Sequence, residues 1–194
     1  MSFLIIAALL ASPASTSPDP VVRYEFTVAA PRDSVWAAWT TERGLRSFFG
    51  PGSRIELRTF GEFQIQFDPN AKPGSRGAEG NVVLAFEPLR MLTTTWDAPP
   101  KFPMARAQRT FLQITLAAES PRATRVTIQQ SGFGAGEEWQ QVYRYFLGAW
   151  TWVGAALQYR FDVGPIDWSH PPDLLPRMKS IGGDIAVEWA RTQG

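Results

Sequence analysis

From Gly136 to Phe161 the apolar residues recur at steps of three and four: Trp139, Val142, Tyr143, Phe146, Trp150, Val153, Leu157 and Phe161. That spacing places them on one stripe of an α-helix. The other side carries Glu138, Gln141, Arg144 and Gln158, while Gly148, Ala149, Gly154, Ala155 and Ala156 keep much of the surface low. At ~1.5 Å per residue the helix is roughly 38 Å long. Only a broad, curved sheet offers an apolar face to match it.

The preceding chain supplies one. Val22 to Ala30 alternates, with Val22, Tyr24, Phe26 and Val28 on one side and Arg23, Glu25 and Thr27 on the other, the period of a half-buried strand. Pro31 ends it and opens a helix with Val35, Trp36 and Trp39 on one face. Thr40 or Thr41 can cap a second short helix, Glu42 to Phe48, before Phe49-Gly50-Pro51-Gly52 forces a turn. Strand then follows strand: Arg54 to Thr59, Glu62 to Phe67, Gly80 to Glu87, Leu89 to Trp96, Thr110 to Ala117 and Thr124 to Gln130. Two Pro- and Gly-rich connections, Asp68 to Gly77 and Asp97 to Ala107, interrupt them. Leu112, Ile114, Leu116, Val126 and Ile128 face inward, which puts Gln130 on the covered side as well. The expected fold class is α+β: a curved antiparallel sheet of about seven strands wrapped on a long C-terminal helix, with two short helices after the first strand.

Composition narrows the chemistry. The chain has 194 residues, a formal charge of +1, no Cys and a single His, so disulfides, thiolate sites and multi-histidine metal sites are excluded. Basic residues are scattered Arg rather than a stripe, which argues against nucleic acid. His170 sits in Trp-Ser-His-Pro-Pro, a loop context. Gly132-Phe133-Gly134-Ala135-Gly136 follows a strand and opens a helix, yet Glu137 and Glu138 in its first turn would repel a phosphate. No cofactor is assigned.

The N-terminus carries an apolar run, Phe3 to Ala11, followed by Ser12, Pro13, Ala14 and Ser15, the pattern of a cleavable signal. It is too short for the ~20 residues that span a bilayer, so the expectation is a secreted or periplasmic protein without a stable membrane anchor. Residues 1–20 are then signal and linker, 21–162 the domain, and 163–194 a tail that packs back, with a short helix from Ile185 to Arg191 and with Trp168 and Trp189 against the domain.

Ala30-Pro31-Arg32-Asp33-Ser34-Val35-Trp36, Leu45 to Pro51, Gly61-Glu62-Phe63, Gly80 to Trp96 with Pro88 inside, and Thr124 to Phe161 with Ser131-Gly132-Phe133 before the helix resemble the START-like (SRPBCC) superfamily. Within it the sequence is similar to the family named for the activator of the heat-shock-protein ATPase. Phe48-Phe49 stands where many relatives have Trp before Gly-Pro. The resemblance implies the helix-grip fold and an apolar cavity between sheet and helix that binds lipids, polyketides or other hydrophobic molecules; some members are cyclases or hydrolases.

The candidate ligand-binding residues are Phe63, Phe67, Phe86, Trp96, Phe111, Gln130, Phe133, Trp139, Tyr143, Phe146 and Trp150, and the expected partner is a small hydrophobic molecule. Candidate acid/base groups are Glu62, Tyr143 and Arg109, each with a plainer account as a solvated or core residue. No nucleophile and base stand at a convincing spacing, so no catalytic residue is assigned. A hydrophobic-ligand-binding protein is the leading reading. A cyclase- or hydrolase-type enzyme and a co-chaperone-like interaction module are the alternatives, and export would separate the last of these from a cytosolic chaperone.

Overall fold

A computed structural model describes residues 19–193; most of the expected signal segment lies outside the described residues. The order is β1 (Val22–Val28), α1 (Arg32–Thr40), α2 (Glu42–Arg46), β2 (Arg54–Ile55), β3 (Glu62–Gln66), β4 (Gly77–Glu87), β5 (Met91–Trp96), α3 (Pro103–Arg106), β6 (Thr110–Ser120), β7 (Ala123–Ser131), α4 (Glu137–Asp162), α5 (Leu175–Gly182) and α6 (Asp184–Gln193). All strands join one antiparallel sheet in the order β1-β7-β6-β5-β4-β3-β2. This is the helix-grip α+β fold, and α4 is its long helix.

Period-two burial explains the sheet. Val22, Phe26 and Val28 of β1 are buried while Arg23, Glu25 and Thr27 are exposed, and Leu112, Ile114, Leu116, Val126 and Ile128 fill the inner face. Thr41 caps α2, its hydroxyl accepting from Gly44 N at 3.0 Å, which satisfies a donor that the first turn leaves free. Gly136 precedes α4 at φ +101°, a backbone angle that disfavours a β-carbon and lets the chain turn from sheet edge to sheet face.

Three expectations need correction. The strand foreseen over Arg54 to Thr59 pairs only at Arg54–Ile55, because Phe60 takes φ +59° and its amide bonds across to Val83 O at 2.7 Å, twisting the segment out of register. The connection after Trp96 holds a helical turn, α3, with Pro103 at its start, where a missing N–H is harmless. The tail forms two helices where one was expected, since Pro176 sits in the first turn of α5, a position that tolerates proline.

Those tail helices pack along α4 on the side whose small residues left room. Trp189 of α6 lies on Gly148, where an added Cβ would come within 2.0 Å of Trp189 Cγ, and its ring meets Tyr145 edge-on at 5.9 Å. The linking segment returns to α2, with Ile166 N donating to Ser47 O at 2.9 Å and Trp168 Nε1 to Arg46 O at 2.6 Å. Among the described residues no helix is long and apolar enough to cross a membrane.

Alanine at position 148 improves helix propensity by about 0.5–1 kcal/mol, but forcing Trp189 off its seat costs about 1–3 kcal/mol. Gly148→Ala is therefore expected to lower the melting temperature. In a Trp189→Ala background, where the obstruction is gone, the same change is expected to raise it, and paired thermal melts of the four proteins check the sign reversal.

Candidate functional site

The space between sheet and α4 is largely occupied by rings in contact. Trp150 lies 5.2 Å from Trp96, 6.1 Å from Phe49 and 5.9 Å from Phe146, and Phe49 stacks on Trp96 at 5.6 Å. Beside this stack, on the flank of α4, a partly open cleft of about 370 Å³ remains. Phe49, Trp96, Phe146 and Trp150 form its floor, and Tyr145, Ala149 and Trp152 its helical wall. Pro99, Pro100, Phe67, Arg76 and Trp189 of α6 also line it. Ala149 creates the space, because neighbouring positions on the same flank carry aromatic rings.

Of the residues singled out from the sequence, Phe67, Trp96, Phe146 and Trp150 line this cleft. Phe67 does so at the rim, 48% exposed. Phe63 is fully buried against Trp96 at 6.2 Å and belongs to the packing beneath it. Phe133, Trp139 and Tyr143 form a cluster of perpendicular rings at the start of α4, with Phe133 at 6.3 Å from Trp139 and 5.3 Å from Tyr143. None of these three reaches the cleft.

Phe111 does not face inward. It is 48% exposed while its neighbours Thr110 and Leu112 are buried, so strand alternation puts its ring on the outer face, over Gly132. Phe86 is half-buried opposite Leu92, near the far end of β4. Ala78 marks the cleft end of that strand, roughly 25 Å away at ~3.3 Å per residue.

Gln130 is covered, as expected, but every part of its amide is engaged. Its Oε1 accepts from Trp150 Nε1 at 2.6 Å and its Nε2 donates to Thr110 Oγ1 at 2.8 Å. Thr110 in turn donates to Trp96 O at 2.9 Å. Gln130 thus fixes the Trp150 indole from behind, reaches the Trp96 main chain through Thr110, and does not line the cleft itself.

The acid/base candidates lie elsewhere. Arg109 is exposed and donates to the carbonyls of Arg106 and Gln108 at 2.6 and 2.9 Å. Tyr143 donates to Val21 O at 3.3 Å, Glu62 is half-buried on β3, and His170 stands in solvent beside Asp167. Among the described residues no group of acidic or His side chains could hold a metal ion.

The polar edge that sequence reasoning missed is Asp97 with Arg106. Asp97 has a fully buried side chain, accepts from Asn81 Nδ2 at 2.9 Å and Glu79 N at 3.3 Å, and forms an ion pair with Arg106 Nη1 at 2.8 Å. Arg106 also bonds the carbonyls of Ala98, Gly74 and Gly77, tying the two irregular connections together at the mouth. Burial pushes the Asp97 carboxyl above the usual range, against the lowering effect of Asn81 and the Arg106 charge. One signal was present: an Asp directly after an inward-facing Trp at a strand end.

A carboxyl raised in the folded state favours folding when protonated. As pH falls from neutral through the ordinary Asp value of about 3.9, wild type is therefore expected to gain stability relative to Asp97→Asn, which has nothing to titrate there. Denaturant melts of both proteins at several pH values measure the difference.

No curated protein matches this sequence. Several solved structures share its fold. Protein MLL2253 from Mesorhizobium loti is 21% identical, with 74% of this chain and 97% of that one covered at a TM-score of 0.60. CalU16 from Micromonospora echinospora is 18% identical, with 88% and 86% covered at 0.59. The Aha1 dimer from Colwellia psychrerythraea is 14% identical, with 75% and 98% covered at 0.57. At these identities the likeness concerns the fold. Residues 29–161, which stop short of α5 and α6, match the family described as Activator of Hsp90 ATPase homolog 1-like protein, and the chain belongs to that family of the START-like superfamily.

Proposed function

We propose that this protein binds a small, flat or lipidic hydrophobic molecule in the cleft on the flank of α4. The observation that carries the reading is the cleft itself, about 370 Å³ with a mostly apolar surface that includes eight aromatic rings, a size and character suited to a small-molecule site. Membership of a superfamily built around such cavities supports it. The apolar run at Phe3 to Ala11 supports export, which would place binding outside the cytoplasm.

The floor is preorganised. The Trp150 indole is held by Gln130 and the Trp96 ring is packed against Phe49, Phe63 and Trp150, so a ligand meets rings already ordered and less ordering opposes its binding. An enzymatic role would require an acid or base free to reach the ligand. Of the two carboxylates on the lining, Asp97 has both oxygens engaged by Asn81, Glu79 N and Arg106, and Asp68 is exposed, with its Oδ1 accepting from Asn70 N.

N-phenyl-1-naphthylamine, a neutral apolar fluorophore, is expected to brighten and blue-shift on adding protein, and apolar competitors to displace it. Ala149→Phe, which fills the gap in the helical wall, is expected to weaken binding at least tenfold, while circular dichroism shows the fold retained. Absence of binding to wild type, or equal binding to the filled variant, would overturn the reading.

A further inference from the structure

The cleft's rim carries charge that the aromatic interior does not call for. Arg106 is consumed by Asp97 and by three carbonyls. Glu79 is consumed too: its carboxylate accepts from Gly74 N at 3.2 Å and Arg76 N at 2.9 Å, and lies 3.6 Å from Arg106.

Arg76 is different. Its main chain is held on both sides, N by Glu79 and O by the amides of Phe67 and Asp68, and its Nε donates to Ala71 O at 3.0 Å. Arg76 is thereby positioned on the lining, yet among the described residues its guanidinium forms no ion pair. Outside the lining, Lys101 Nζ sits 5.0 Å from the centroid of Tyr145, a wall residue, and it too has no carboxylate partner among the described residues. Asp68 is the remaining acid on the lining, exposed, with its Oδ1 accepting from Asn70 N. On the lining itself Arg76 and Asp68 balance, and Lys101 beside the Tyr145 wall tips the surroundings of the cleft to positive.

Resting on the ligand-binding reading above, we propose that the occupant is an amphipathic anion: an aromatic or otherwise flat apolar body lies in the cleft, and a carboxylate or similar oxyanion pairs with Arg76. A guanidinium offers a planar fork of N–H donors that matches an oxyanion in two-point contact. With Nε already used by Ala71, the two terminal nitrogens are the ones left to make it. Lys101 adds attraction at longer range without dictating geometry. The ring-walled interior selects the body, and Arg76 selects the head.

Two fluorescent probes that differ by one charged group test this. 8-Anilinonaphthalene-1-sulfonate carries a sulfonate that N-phenyl-1-naphthylamine lacks. Arg76→Gln is expected to weaken the sulfonate about fivefold to tenfold, the range for a charge-assisted contact reduced by partial exposure, and to leave the neutral probe within about twofold. In unaltered protein, raising salt from about 0.01 M to 1 M is expected to weaken the sulfonate selectively, because exposed ion pairs are screened. The Ala149→Phe variant should lose both probes, locating them in the cleft. If both bind wild type and Arg76→Gln changes neither, or weakens both alike, the anionic head is wrong while the cleft reading stands. If neither binds wild type, both fall.

Discussion

The side chain of Trp150 joins the two layers of this fold. It projects from the middle of α4, is 1% exposed, and meets Trp96, Phe49 and Phe146 on its faces and edge. Its one polar atom donates to Gln130 Oε1 on β7. An indole buried at this depth without an acceptor would forfeit about 1–3 kcal/mol. The Gln130–Thr110–Trp96 chain supplies one and fixes the helix in register on the sheet. Because the same rings form the cleft floor, the interaction that closes the core also determines the surface that a ligand would meet.

Long-range periodicity made most of this legible in the sequence. The stripe from Trp139 to Phe161, read as one helix from Gly136 to Phe161, located α4 to within one residue at each end, since 26 residues sum many small preferences. Strand alternation gave the inner face of β6 and β7, and applied consistently it also turns Phe111 outward, because Leu112 was already assigned inward. What stayed hidden depends on closure in space. Asp97 and Arg106 are nine positions apart, and only the folding of two irregular connections against each other makes them a buried pair. The cleft's place on the flank of α4, away from its midline, follows from ring sizes at Tyr145, Ala149 and Trp152, which no periodicity encodes. Phe49, the smaller ring standing before Gly-Pro, proved to be part of the floor.

Small residues on α4 acquire their meaning from the tail. Gly148 and Gly154 are buried, with Trp189 of α6 over Gly148 and Ile181 of α5, together with Phe26 of β1, over Gly154. The family-matched region ends at residue 161, whereas Trp189 contributes a wall of the cleft. The cleft in this chain is therefore partly made from residues outside the shared domain, and its shape cannot be inferred from that domain alone.

The walls are not held equally. Bonds among Trp150, Gln130, Thr110 and Trp96 fix the floor, and the Asp97–Arg106 pair fixes the mouth. Trp189 relies on ring contact with Tyr145 and on its fit over Gly148, while its Nε1 is buried without an acceptor among the described residues. Leaving that donor unmet weakens the closed arrangement, and moving α6 outward would return it to water. Trp189 is thus a wall ring whose buried donor is unmet in the closed arrangement. A ligand entering there would trade indole packing against Tyr145 for its own contacts with the same ring, without disturbing the bonds that hold helix to sheet.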